Sequence, residues 1–146
     1  MDMVCGVSQM FGVDIAENFK RPFFAVSIND FWRRWHISLS TWLRDYLYSR
    51  FVMKSLKQKR FSNPRTASYL GYVLNMMAMG AWHGLQPQYL LYGVYHSALM
   101  CLNEVLDLHC KSFRSFKTHG AGQVVCVLVT FHLFSFGLLI FSGRLI

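Results

Sequence analysis

Between Lys117 and Arg144 the sequence reads THGAGQVVCVLVTFHLFSFGLLIFSG, residues 118–143, 26 positions without one formal charge. A helix rises about 1.5 Å per residue, so this run is longer than the hydrocarbon core of a bilayer, about 30 Å. It predicts a transmembrane helix over Thr118–Gly143, with His132 near its middle. The composition of the whole chain agrees. Of 146 residues, 53% are hydrophobic and only 15% are charged. A soluble domain carries about 25% charge, and charge is what a lipid-facing surface cannot hold.

Working back from that run, Lys111, Arg114 and Lys117 mark a polar loop. Tyr89–Leu106 is an apolar helix interrupted only by His96, Asn103 and Glu104. Thr66–Trp82 is a buried helix, 17 residues with no charge, stopped by Gly84 and Pro87. Before it lies a basic loop, Arg50–Arg65, with the apolar Phe51-Val52-Met53 inside it. Further back, Phe31–Tyr48 has Trp32, Trp35, His36, Leu39, Leu43, Tyr46 and Leu47 at helical spacing. This predicts one amphipathic helix, with Ser27 capping it and Asp30 pairing with Arg33 or Arg34. Its arginines exclude a simple lipid-facing span. Arg21-Pro22 predicts a turn. Met1–Val13 is too broken to span. The pattern is that of an all-α, polytopic helical membrane protein with no internal domain boundary.

The net charge is +8. Nucleic-acid binding is set aside, because the cations fall in short loops between apolar runs, where the positive-inside rule explains them. That rule puts Arg50–Arg65 and Lys111–Lys117 in the cytoplasm and Arg144 outside. Cys5, Cys101, Cys110 and Cys126 form no zinc or redox spacing. His96, His109, His119 and His132 form no metal-ligand spacing, so no metal is expected. Phosphate-loop and nucleophile-elbow motifs are missing too.

Two histidines stand out by context. His83, in Met79-Gly-Ala-Trp-His-Gly84, ends an uncharged helix. It is either a helix cap or a general base that takes a proton from an attacking hydroxyl. His36, in Arg-Arg-Trp-His, sits on the apolar face of the amphipathic helix. It is either a packing histidine or a polar group lining the same cavity as His83. Trp32, Arg33, Arg34, Arg44, Asp45 and Trp82 are candidate substrate or cavity-lining residues. The arginines suit phosphate or carboxylate, and equally suit pairing with Asp30 and Asp45. Phe51, Val52, Met53 and Lys54 form an apolar patch beside cations. It suits either anionic lipid or an acidic protein partner.

Taken together, Asp30-Phe-Trp-Arg-Arg-Trp-His-Ile-Ser-Leu-Ser-Thr-Trp-Leu-Arg-Asp-Tyr46 and Met79-Gly-Ala-Trp-His-Gly84 resemble the two signature segments of the membrane-bound O-acyltransferase (MBOAT) family. The resemblance implies that His83 is catalytic and His36 a functional position. Within the family, the likeness is greatest to the members that D-alanylate teichoic acid. Asn18-Phe-Lys-Arg-Pro-Phe23, Arg44-Asp-Tyr running into Ser49-Arg-Phe-Val-Met53, and Phe141-Ser-Gly143 carry it. The Ile-Pro-Leu-Gly-Gly stretch typical of the alginate-type O-acetyltransferases does not follow the first motif.

The resemblance covers nearly all of residues 1–146 and implies the C-terminal part of one MBOAT catalytic domain, its N-terminal helices missing. It implies transfer of D-alanine from a carrier-protein thioester, held on phosphopantetheine, toward lipoteichoic acid or an intermediate acceptor. No bound cofactor is expected. It also implies a multi-pass protein of a bacterial cytoplasmic membrane, of Gram-positive type. An O-acetyltransferase of an exported polysaccharide and an inactive membrane fragment are the alternatives.

Overall fold

A computed structural model describes residues 2–118 and 120–145; Met1, His119 and Ile146 lie outside the described residues. Among the described residues there is no β-strand. Eight α-helices follow one another among the described residues, and of the long ones the fifth packs on the sixth and the sixth on the eighth. The first, α1, covers Asp2–Met10 and is about 14 Å long, too short to span. Arg21 adopts a left-handed conformation, and a single 3₁₀ turn follows at Pro22–Phe24. The turn expected at Arg21-Pro22 is therefore present.

The expected helix over Phe31–Tyr48 is not continuous. Helix α2 covers Ile28–Arg34 and α3 covers Ile37–Leu43. Between them Trp35 is extended, and His36 takes left-handed angles, φ 47° and ψ 55°. The reason lies upstream. An extended segment at Asn18–Lys20 docks here and makes an isolated antiparallel bridge between Phe19 and Trp35. Lys20 N donates to Arg34 O and Ile37 N to Asn18 O, each at 2.9 Å. These bonds replace the helical ones that the break removes. Asn18 Oδ1 also accepts from Ser38 N at 2.9 Å and Ser38 Oγ at 2.6 Å. It thus caps α3 from twenty residues away. His36 consequently leaves the helical face assigned to it.

The start of α2 follows its local signals. Ser27 Oγ accepts from Asp30 N, and Asp30 Oδ2 accepts from Val26 N, both at 3.2 Å. Asp30 pairs with Arg34 at 2.9 Å rather than with Arg33.

Beyond α3 the chain makes one wide π turn, Arg44–Tyr48, and runs on into α4, Ser49–Lys57. The basic loop expected over Arg50–Arg65 is therefore mostly helical. Its inward face explains this, since the apolar Phe51 and Val52 are half-buried and the small Ser55 between them and the next turn is buried. Lys54 and Lys57 sit in the last turn, where a helix favours cations.

Helix α5, Pro64–His83, begins on Asn63, whose Oδ1 accepts from Arg65 N at 3.0 Å. It ends at Gly84, φ 149°, a conformation open only to glycine. It is buried on one face only, since Leu70, Val73 and Leu74 are exposed. Helix α6, Pro87–His109, extends the expected helix at both ends. The expected polar loop after it contains a short helix, α7, Lys111–Phe116. Helix α8, Gly120–Phe141, is, among the described residues, the helix long and apolar enough to cross a membrane.

Helices α5 and α6 form the main packed pair. Glycines let their backbones meet, as small residues do where helices cross in membranes. A Cβ on Gly93 would stand 2.6 Å from Met76 O, and one on Gly80 would strike Tyr89 O. Helix α8 crosses α6 at Gly137, against the His96 ring. Phe31, Met76, His96 and Phe134 are the largest side chains fully enclosed in this packing.

Candidate active site

The break at Trp35–His36 and the end of α5 meet around one indole. Trp82 lies edge-on to His36, ring centroids 5.9 Å apart, and edge-on to His83 at 4.8 Å. Phe141, at the end of α8, stands edge-on to His83 at 4.9 Å. Tyr89, at the start of α6, lies 6.2 Å from the same ring. The two motif histidines thus share one aromatic neighbour, with His83 exposed and His36 half-buried.

The helix-cap reading of His83 has no support in this geometry. The turn is closed by Gly84 N donating to Ala81 O. Among the described residues no hydrogen bond reaches the His83 imidazole, whereas the His132 ring bonds to Leu128 O at 2.7 Å. His36 Nδ1 is buried without a partner among the described residues. Both histidines therefore keep hydrogen-bonding capacity unused.

A cleft of about 230 Å³ lies on the neighbouring face of α5. Trp32, Arg33 and Arg44 of the candidate residues line it, together with Asn29, Tyr72 and Asn75. Met79 lines it too, one turn before His83 on the same side of α5. The remaining candidates are elsewhere. Arg34 is held by Asp30, Asp45 pairs with Arg44 on the surface at 2.9 Å, and Trp82 joins the two histidines. Neither His36 nor His83 lines this cleft. The candidates thus fall into two adjoining groups rather than one cavity.

The four candidate docking residues also divide. Met53 is 70% exposed and Lys54 is exposed, whereas Phe51 and Val52 turn partly inward, with Val52 Cγ2 against Gly71.

Several side chains here carried little or no sequence signal. Asn29 Oδ1 and Asn75 Oδ1 are buried without partners among the described residues, as is Nε1 of the candidate Trp32, all on residues of the cleft. A lone Asn in an apolar helix is the only trace Asn75 leaves. His96, which the sequence shows as an interruption of an apolar helix with no metal-ligand spacing, is fully buried 5.2 Å from Trp32 and 4.4 Å from Tyr92, ring to ring.

Residues 2–143 match the sequence model of the membrane-bound O-acyltransferase family, MBOAT. The chain belongs to that family. It is 42% identical over 139 residues to a teichoic acid D-alanyltransferase of Bacillus subtilis, covering 95% of this chain and 35% of that protein. It is 32% identical over 148 residues to the Streptococcus thermophilus protein of the same name, covering 95% and 36%. A probable alginate O-acetylase AlgI of Pseudomonas syringae pv. tomato is 38% identical over 143 residues, covering 98% and 25%. The MBOAT chain thus spans about a third or less of the length of these relatives.

Proposed function

We propose that the protein carrying this chain is a membrane acyltransferase that moves D-alanine from a carrier-protein thioester toward lipoteichoic acid hydroxyls. His83 is its general base. The observation that carries this reading is the imidazole at the end of α5: Gly84 closes the helix, and among the described residues nothing hydrogen-bonds to His83. The similarity to teichoic acid D-alanyltransferases supports the choice of substrate.

In this mechanism the imidazole of His83 removes the proton of an acceptor hydroxyl. The oxygen attacks the thioester carbonyl. The tetrahedral intermediate then expels the thiolate, which takes the proton back from the imidazolium. The products are an ester and the carrier's free phosphopantetheine thiol. A thioester is a good acyl donor, so the protein supplies mainly position and base. Trp82 and Phe141 fix the His83 ring by edge contacts, and His36 serves as a second polar group across Trp82. The cleft lined by Trp32, Arg33 and Arg44 holds the donor next to His83. Met53 and Lys54, on exposed α4, receive the acidic carrier. The protein is multi-pass in the cell membrane of a Gram-positive bacterium, with α4 on the cytoplasmic side.

The test is transfer of labelled D-alanine from loaded carrier to acceptor by the full-length protein. His83→Ala is expected to lower the rate by about 10²–10⁴-fold, the usual loss for a general base. Retained activity would remove His83 from the role. A second reading is acetyl transfer to an exported polysaccharide, favoured by the alginate O-acetylase similarity over 98% of the chain. Acetyl transfer in place of D-alanyl transfer by the same preparation would select it.

A further inference from the structure

A second cavity lies away from the histidines, where α6 and α8 diverge. It measures about 330 Å³. Leu102 and Leu106 of α6 line one wall, Val129 and Leu133 of α8 the other, and Phe113 and Phe116 of α7 cover one end. Along α8 the lining runs from Val125 to Leu133, about 12 Å, which is close to the hydrocarbon depth of one leaflet. Because α8 is the helix able to cross a membrane, this groove faces the depth at which lipid tails lie.

The rim of the groove has a definite charge. Asp107, the acidic group there, accepts from Asn103 Nδ2 at 3.2 Å and is paired with Lys117. Lys111 and Arg114 on α7 are exposed, with no carboxylate within 4.0 Å among the described residues. Helix α7 therefore lines the groove with Phe113 and with one side of the half-exposed Phe116, and leaves two cations outside. A short amphipathic helix with this division sits at the boundary between acyl chains and headgroups. Apolar surface alone would accept any hydrophobic occupant. Two unneutralised cations on the helix that closes its end select one whose polar end is anionic.

We infer that this groove is a binding site for an anionic phospholipid, one acyl chain lying between α6 and α8 and the phosphate resting on Lys111 and Arg114. The site is independent of the acyl-transfer reaction and uses none of its residues.

The test uses the full-length protein in nanodiscs with two photoreactive probes, phosphatidylglycerol and phosphatidylcholine carrying the same diazirine-bearing acyl chain. Cross-linked peptides are located by mass spectrometry. The expected result is labelling of the lining residues Leu99, Leu102, Leu106, Val125, Val129 and Leu133, with phosphatidylglycerol exceeding phosphatidylcholine roughly tenfold. The double variant Lys111→Glu, Arg114→Glu is expected to reduce phosphatidylglycerol labelling to the phosphatidylcholine level. Leu102→Trp, which fills the groove, is expected to remove the label there and leave the exposed α8 positions Val124 and Leu128 labelled as before. Equal labelling by the two lipids, or a charge-reversed variant that keeps its preference, would overturn the assignment. So would a groove labelled no more densely than Val124 and Leu128, the result if a protein segment fills it. Should Leu102→Trp fail to fold, the surface pair Lys111 and Arg114 carries the test alone.

Discussion

His36 separates two effects that are usually tangled at a functional residue. Its backbone is left-handed, a conformation that costs a non-glycine residue roughly 1–2 kcal/mol. Glycine would relieve that cost and remove the imidazole together. If the proposed D-alanyl transfer uses His36, His36→Gly is expected to leave the thermal midpoint unchanged or higher while that transfer falls. His36→Ala keeps the strain and loses the ring, so it is expected to lower both. If His36→Gly retained full transfer, His36 would be a packing residue only. Asn18 offers a second test at this scale. Its carboxamide accepts two bonds from Ser38, so Asn18→Ala removes a helix cap and is expected to cost about 0.5–2 kcal/mol in chemical unfolding. An unchanged midpoint would mean that water replaces Asn18 at the start of α3.

Glycines decide how the helices approach one another, and they predict stability changes of opposite sign. Inside a helix, alanine is normally favoured over glycine by about 1 kcal/mol. At Gly6 in α1 nothing lies within 4 Å of an added Cβ, so Gly6→Ala is expected to stabilise by up to that amount. At Gly93 the added Cβ would stand 2.6 Å from a backbone oxygen of α5, which cannot swing aside. Gly93→Ala is expected to lose about 1–3 kcal/mol by forcing α5 and α6 apart. Unfolding of the two variants in detergent compares them directly, and equal shifts would contradict the close crossing. The same scale shows what the sequence made legible. Helices α5, α6 and α8 were readable because their signals are local: long apolar runs, with Gly84 and Pro87 at one end. The break between α2 and α3 was not, because its cause is a segment about twenty residues upstream. No periodicity within Phe31–Tyr48 records that Asn18–Lys20 will take over its hydrogen bonds. The two motif histidines were visible as residue types in context. Their shared neighbour Trp82 was visible only as a candidate, since the contact depends on that break.

Across the whole molecule the net charge of +8 is unevenly placed. Among the described residues the ion pairs join Arg34 to Asp30, Arg44 to Asp45 and Lys117 to Asp107. None involves the cations of α4 or of the turn after it. That region therefore keeps its field, and exposed charge acts over a Debye length of about 8–10 Å at ordinary salt. If an acidic carrier docks on α4, as the proposed function requires, its association rate must fall as salt rises while dissociation changes less. Val52 is a poor probe of this surface, because its side chain packs on Gly71 and a carboxylate there would disturb α5 as well. Met53 and Lys54 point outward. Met53→Asp with Lys54→Glu is therefore expected to weaken carrier binding by roughly tenfold or more at low salt and to leave the unfolding midpoint unchanged. The loss should shrink as salt is added, since salt screens the same charges that the variant removes. Binding by surface-immobilised full-length protein across a salt series measures both effects. An association rate indifferent to salt, or a double variant that binds as well as the parent, would place the carrier on another face of the protein.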